Sequence, residues 1–141
     1  MIPAPSLERL RKRAQFLFVR DGARAARPLV LIEARRRAEA GPIGAGFTAT
    51  RKIGNAVVRN RARRRLREAA RALLPVHGLA GVDYVLVARQ GTSDAGWAAL
   101  LDDVQTALIR LRVALADNES MRPKQRPPRA GKRAGPSPGS E

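Results

Sequence analysis

Between Arg51 and Arg71 the chain carries nine Lys/Arg against one acid, Glu68, a net +8 in a single stretch. Within it Val58, Ala62, Leu66, Ala69 and Leu73 recur at three- and four-residue steps. That spacing predicts an amphipathic helix from about Ala56 to Leu74. Asn55 stands where an N-cap belongs, and Pro75 and Gly78 supply a stop. Arg59, Asn60, Arg63, Arg64, Arg67 and Arg71 then lie mainly around the other faces. Like charges at i, i+4 each cost about 0.2–0.5 kcal/mol, and Glu68 offsets only Arg64 and Arg65. Such a face is unfavourable in the free protein and suits a polyanion. The alternative is a solvated face, but solvated faces usually mix signs and this one does not.

The rest of the composition narrows the classes. The chain has 141 residues and a net charge of +16. Its basic residues are 24 Arg and only 4 Lys. Guanidinium forks grip phosphate bidentately and stack on bases, whereas Lys acts as a point charge; an Arg-favouring codon usage would give the same excess. A hydrophobic fraction of 44% is enough for one modest core. With no cysteine, there are no disulfides, no thiolate metal sites and no thiol nucleophile. The single histidine, His77, argues against a Ser-His-Asp hydrolase or a multi-His metal site. It falls between Pro75 and Gly78 and is expected to be exposed and idle. No apolar run approaches the roughly 20 residues that span a bilayer. No apolar secretory segment opens the chain. The expectation is a soluble, basic, cytoplasmic protein with a polyanionic partner.

Organisation follows from punctuation and period. Ser6 reads as an N-cap, Leu7, Leu10, Ala14 and Leu17 as a helix stripe, and Gly22 as a stop. Leu29–Ile32 is a short β-rich run, followed by a polar loop from Arg35 to Gly41. Ile43–Thr50 is a glycine-bearing strand. Tyr84–Ala88 is a buried strand, and Gly91–Ser93 a loop. Trp97, Leu100, Leu101, Val104, Leu108, Leu111 and Leu115 mark a last helix. Phe47 and Trp97 sit in apolar settings and read as core. Asp102 and Asp103 point to different helix faces and read as solvated charges. The expected fold is an α+β two-layer sandwich, a small mixed sheet with helices in the order αβββαβα. The expected domain runs over 1–116. A basic Pro/Gly-rich tail, 117–141, has too little apolar surface to offset its ordering entropy.

One block is specific. Gly46-Phe47-Thr48-Ala49-Thr50-Arg51-Lys52-Ile53-Gly54-Asn55-Ala56-Val57-Val58-Arg59-Asn60-Arg61-Ala62-Arg63-Arg64-Arg65-Leu66-Arg67-Glu68 resembles the signature of the protein subunit of bacterial ribonuclease P. That family has a glycine-led strand, a basic-Lys-(Val/Ile)-Gly turn, and Arg-Asn-Arg with further basic residues on a helix. Arg9 to Phe16 is similar to its first helix and Asp83–Arg89 to its last strand, so the resemblance spans roughly Leu7 to Leu115. It implies a left-handed βαβ crossover, against the usual right-handed rule. It also implies removal of the 5′ leader from precursor tRNA, with an RNA subunit as the catalyst.

No clustered acids, metal-ligand set or activated nucleophile contradict this, and no catalytic residue is expected in the protein. Mg²⁺ would be held mainly by RNA phosphates. The resemblance assigns Arg51, Lys52, Asn55, Arg59, Asn60, Arg61, Arg63, Arg64 and Arg67 to the RNA subunit. Arg65 departs from the family pattern, which often has an apolar residue there. A second set, Arg9, Arg13 and Phe16 with Arg20, is spaced to share one face of the first helix. An aromatic among arginines suits stacking and phosphate neutralisation, and Phe16 matches the family's leader-contacting Phe. The alternative for Phe16 is packing on the sheet. The expected partners are therefore the catalytic RNA and precursor tRNA, with no membrane and no obligate protein partner. The competing class is a non-catalytic structural RNA-binding protein of ribosome or ribonucleoprotein assembly; the Arg-Asn-Arg block favours the former.

Overall fold

The structure, a computed structural model, describes residues 6–121. Along them run β1 (Leu7–Arg9), α1 (Arg13–Arg20), β2 (Ala23–Arg27), β3 (Val30–Arg36), β4 (Ile43–Thr48), a 3-10 turn (Arg51–Ile53), α2 (Ala56–His77), β5 (Val82–Ala88) and α3 (Trp97–Met121). The strands form one mixed sheet in the order β1-β4-β5-β3-β2. β5 is parallel to β4 and antiparallel to β3, so α2 is the crossover between two neighbouring parallel strands.

Alternation along β5 builds two cores. Val82, Tyr84, Leu86 and Ala88 face the larger one, which α2 and α3 cover with Leu66, Leu74, Leu100, Leu108 and Leu111. Each fully buried Leu of this kind contributes about 1.5–3 kcal/mol. Val85 and Val87 face the other way, toward Leu10 and the α1 residues Phe16, Phe18 and Val19. The basic helix and α1 therefore lie on opposite faces of the sheet.

Five expectations change. The first helix is shorter than its apolar stripe predicts: Leu7–Arg9 is an edge strand parallel to β4, with Leu7 opposite Ile43. Ala14 and Leu17 of the expected stripe are exposed, while Val19 is buried. Sheet pairing at Leu7–Arg9 and burial of Leu10 beside Gly44 outweigh helical spacing. The element order accordingly gains a strand at its start.

Ala23–Arg27 is a strand with no β-propensity to announce it, made so by antiparallel pairing with β3. Helix α2 runs through Pro75 to His77. A proline removes one N–H bond but does not by itself end the last turn, and Gly78 closes it by donating to Leu74 O at 2.7 Å. His77 thus belongs to a helix end, where its carbonyl accepts from Arg112.

Asp103 is buried rather than solvated. Its carboxylate accepts from Arg27 Nε at 3.2 Å and from Leu29 N–H at 2.9 Å, pinning α3 to the β2–β3 turn. Asp83, also buried, is paired with Arg37 at 2.5 Å. Lastly, α3 extends to Met121, past the boundary at 116. The remainder of the expected tail, 122–141, lies outside the described residues.

Candidate nucleic-acid interface

The approach to α2 is set by two residues. Asn55 caps the helix as expected, its Oδ1 accepting from Val58 N–H at 3.0 Å. Gly54 has φ +148°, and a Cβ there would stand 2.8 Å from Val58 Cγ1. Only glycine meets both conditions, so the turn carrying Arg51 and Lys52 folds directly onto the helix start. Both side chains are exposed. Gln90, just after β5, donates to the Lys52 carbonyl at 3.0 Å and ties the turn to the sheet's end.

On α2 the residues Ala62, Leu66, Ala69, Ala70 and Leu74 are buried, which turns the cationic faces outward. Asn60, Arg61, Arg64 and Arg71 are exposed. Arg59, Arg63 and Arg67, spaced four apart, form one half-buried flank. Arg59 donates to Gly54 O at 3.1 Å, and Arg63 to the Asn60 side chain. The Nε of Arg67 is buried without a hydrogen-bond partner.

Arg61 and Arg65 form the other flank, against the loop after β5. Arg61 pairs with Asp94 at 3.5 Å. Arg65 donates to Thr92 O at 2.9 Å and to Ala95 O at 2.6 Å. Arg65, which departs from the family pattern, is thus a clamp for this loop. Its guanidinium also lies 5.7 Å from the Trp97 ring centroid. Trp97 itself is 42% exposed, so the core role expected for it is wrong; Phe47 does pack against the larger core. Position 97 opens α3, where the apolar period gives no information about which side faces solvent.

The second set does not share one helix face. Arg9 is on β1, whereas Arg13, Phe16 and Arg20 are on α1. Arg9, Arg13 and Arg20 are exposed, and Phe16 is half-buried in the smaller core with Leu10, Val19 and Val85. Sequence reasoning missed Arg35 here. It sits 4.3 Å from the Phe18 ring centroid and donates to Phe18 O at 3.1 Å, bracing α1. No spacing signal links these residues, which come together only through the sheet.

Among the described residues no group of three or more His, Cys, Asp or Glu could hold a metal ion. None of their helices is long and apolar enough to cross a membrane. The chain that carries this glycine-entered, Asn-capped crossover helix matches the ribonuclease P family model over residues 4–112.

The chain belongs to the ribonuclease P protein family. The ribonuclease P protein component of Caulobacter vibrioides is 54% identical over 109 residues, 77% of this chain and 73% of the relative. That of Gluconacetobacter diazotrophicus is 44% identical, over 81% of this chain and 99% of its own. The ribonuclease P protein of Thermotoga maritima has the same fold, with a TM-score of 0.61 at 25% identity, covering 73% of this chain and 96% of that one. The Staphylococcus aureus protein superposes with a TM-score of 0.62 at 24% identity, over 75% and 94%, which bears on the fold alone. As a ribonuclease P protein, this chain is a subunit that assists RNA in tRNA processing, and the assembly reading falls away.

Proposed function

We propose that this protein binds the ribonuclease P RNA through α2 and the turn before it, and the 5′ leader of precursor tRNA through the α1 side of the sheet. The RNA performs the cleavage. The observation that carries this reading is the outward cationic surface of α2, where Asn60, Arg61, Arg64 and Arg71 are exposed above a fully buried apolar face. Arginine forks supply paired donors to phosphate oxygens, and Asn60 adds an amide that both donates and accepts. Arg51, Lys52, Arg59, Arg63 and Arg67 extend the contact along the crossover.

In the leader site, Arg9 and Arg13 neutralise phosphates while the accessible part of the Phe16 ring meets a base. A half-buried ring is suited to this: packing fixes its orientation, so little freedom is lost when a base arrives. Mg²⁺ in this scheme is held by RNA phosphates and supplies the hydrolytic chemistry there; the protein's arginines lower the repulsion between enzyme RNA and substrate. The protein works in the cytoplasm, where precursor tRNA is made.

Reconstitution tests the scheme. Freed of RNA, the protein should leave precursor tRNA intact. Added to the cognate RNA at low Mg²⁺, it should restore 5′ processing. Cleavage by RNA-free protein, or an RNA activity indifferent to the protein at every Mg²⁺ level, would overturn it.

A further inference from the structure

Trp97 is the chain's one tryptophan, and the residue is 42% exposed although a large apolar ring gains most from burial. It does not hang free. Arg65 holds it on one side at 5.7 Å, and the same guanidinium is fixed by the carbonyls of Thr92 and Ala95. Thr92 is itself anchored, its hydroxyl donating to Leu29 O at 2.7 Å and accepting from Arg89 N–H at 2.8 Å. The indole is therefore a positioned plane. At its 42% exposure the ring keeps a large part of its surface open to solvent. One helical turn from Arg65 lies Arg61, paired with Asp94 at 3.5 Å, and Arg64 is exposed on the outer ridge.

A held, solvent-accessible aromatic plane with exposed guanidiniums on the neighbouring helix is the arrangement that takes a nucleobase and its phosphates. A protein partner would want apolar neighbours around the ring; the α2 residue set against it is an arginine, Arg65. We infer that Trp97 stacks an unpaired base of the bound RNA, with Arg61 and Arg64 on the adjoining phosphates. This inference rests on α2 being the RNA interface and extends that interface across the loop to the start of α3. Arg65 acts as a positioning residue, since its donors are already taken by backbone carbonyls.

The single tryptophan makes the test direct. The full-length protein is titrated with ribonuclease P RNA from the same genome while indole emission and its quenching by acrylamide are followed, and affinity is measured separately by filter binding. Stacking should quench the emission and shield the indole severalfold from acrylamide at saturation. Trp97→Leu, which keeps apolar volume without the π face, should bind about 5- to 100-fold more weakly, and Trp97→Phe should recover part of the loss. Unchanged emission and shielding in a complex that Arg64→Ala weakens would overturn the stack and leave the α2 interface standing. Unchanged affinity in Arg61→Ala and Arg64→Ala would overturn the α2 interface, and the stack with it. The wild-type fluorescence decides the matter even if Trp97→Leu folds poorly.

Discussion

The ring of Phe16 lies on the backbone of Gly46: a Cβ at position 46 would stand 2.7 Å from both Cε2 and Cζ. Gly46 pairs with Val85 across β4 and β5, and Val85 packs in the same small core as Phe16. The glycine thus lets α1 approach the sheet closely. Gly46→Ala must push the ring or the whole helix outward, and overpacking of this kind costs about 1–3 kcal/mol. A lower denaturation midpoint with an unchanged m-value is the expected result. Wild-type stability in this variant would show that the ring swings aside freely.

Phe16→Leu tests the ring's packing and its proposed leader contact at once. Because Phe16 is half-buried, the variant should melt somewhat lower than wild type. If the accessible part of the ring stacks on the leader, precursor tRNA should bind the holoenzyme about 5- to 100-fold less tightly, while binding of mature tRNA stays constant. A lower melting temperature with an unaltered ratio of the two affinities would assign Phe16 wholly to packing.

Tyr84 gives a pH dependence with a defined sign. Burial pushes its phenol above the ordinary value, opposed by the hydrogen bond accepted from Leu79 N–H and by the charges of Arg112 and Arg36. The folded state therefore keeps its proton after the unfolded chain, with a phenol near about 10, has begun to ionise. The stability this confers is full below that value and falls as pH rises toward the folded pKa. Alkaline titration should show the phenolate absorbance of this single tyrosine appearing late and together with unfolding. In Tyr84→Phe the alkaline slope should flatten, at the cost of leaving Leu79 N–H without its acceptor. A phenolate that appears near its ordinary value in folded protein would contradict this.

The elements that were legible in the sequence are those whose own residues dictate them. Asn55, the stripe from Val58 to Leu73 and the run Tyr84–Ala88 each carry a local signal strong enough to survive folding, and α2 and β5 lie where those signals put them. The arginines of α2 were legible as outward-facing for the same reason. What was hidden depends on partners distant in sequence. Leu7–Arg9 is a strand because Ile43–Ala45 lies beside it, and Ala23–Arg27 because Val30–Ala34 does. Asp103 looks like any helix carboxylate until Arg27 and the Leu29 N–H are brought against it. Arg65 and Trp97 are 32 positions apart, and neither has a spacing that announces the other.

Asp94 makes the last prediction, because it is an acid standing beside Arg61 in the proposed RNA interface. Its side chain is 79% exposed and pairs with Arg61, itself 46% exposed, at 3.5 Å. Exposed pairs of this kind contribute only about 0.2–1 kcal/mol, and less at high salt. The pair therefore does little for the fold, yet it occupies a guanidinium that a phosphate could use. Asp94→Asn keeps the side chain's size and removes the charge. Stability should stay within about 0.5 kcal/mol of wild type, while RNA affinity at low salt should rise severalfold. If Arg61 then takes a new phosphate, the slope of log affinity against log salt should steepen by about one unit. Arg61→Ala should move affinity the other way, and the double variant should resemble Arg61→Ala, because without Arg61 there is nothing for Asp94 to withhold. Weaker RNA binding by Asp94→Asn at unchanged stability would reverse the assignment: the carboxylate would then be holding Arg61 in its binding geometry rather than competing with RNA for it.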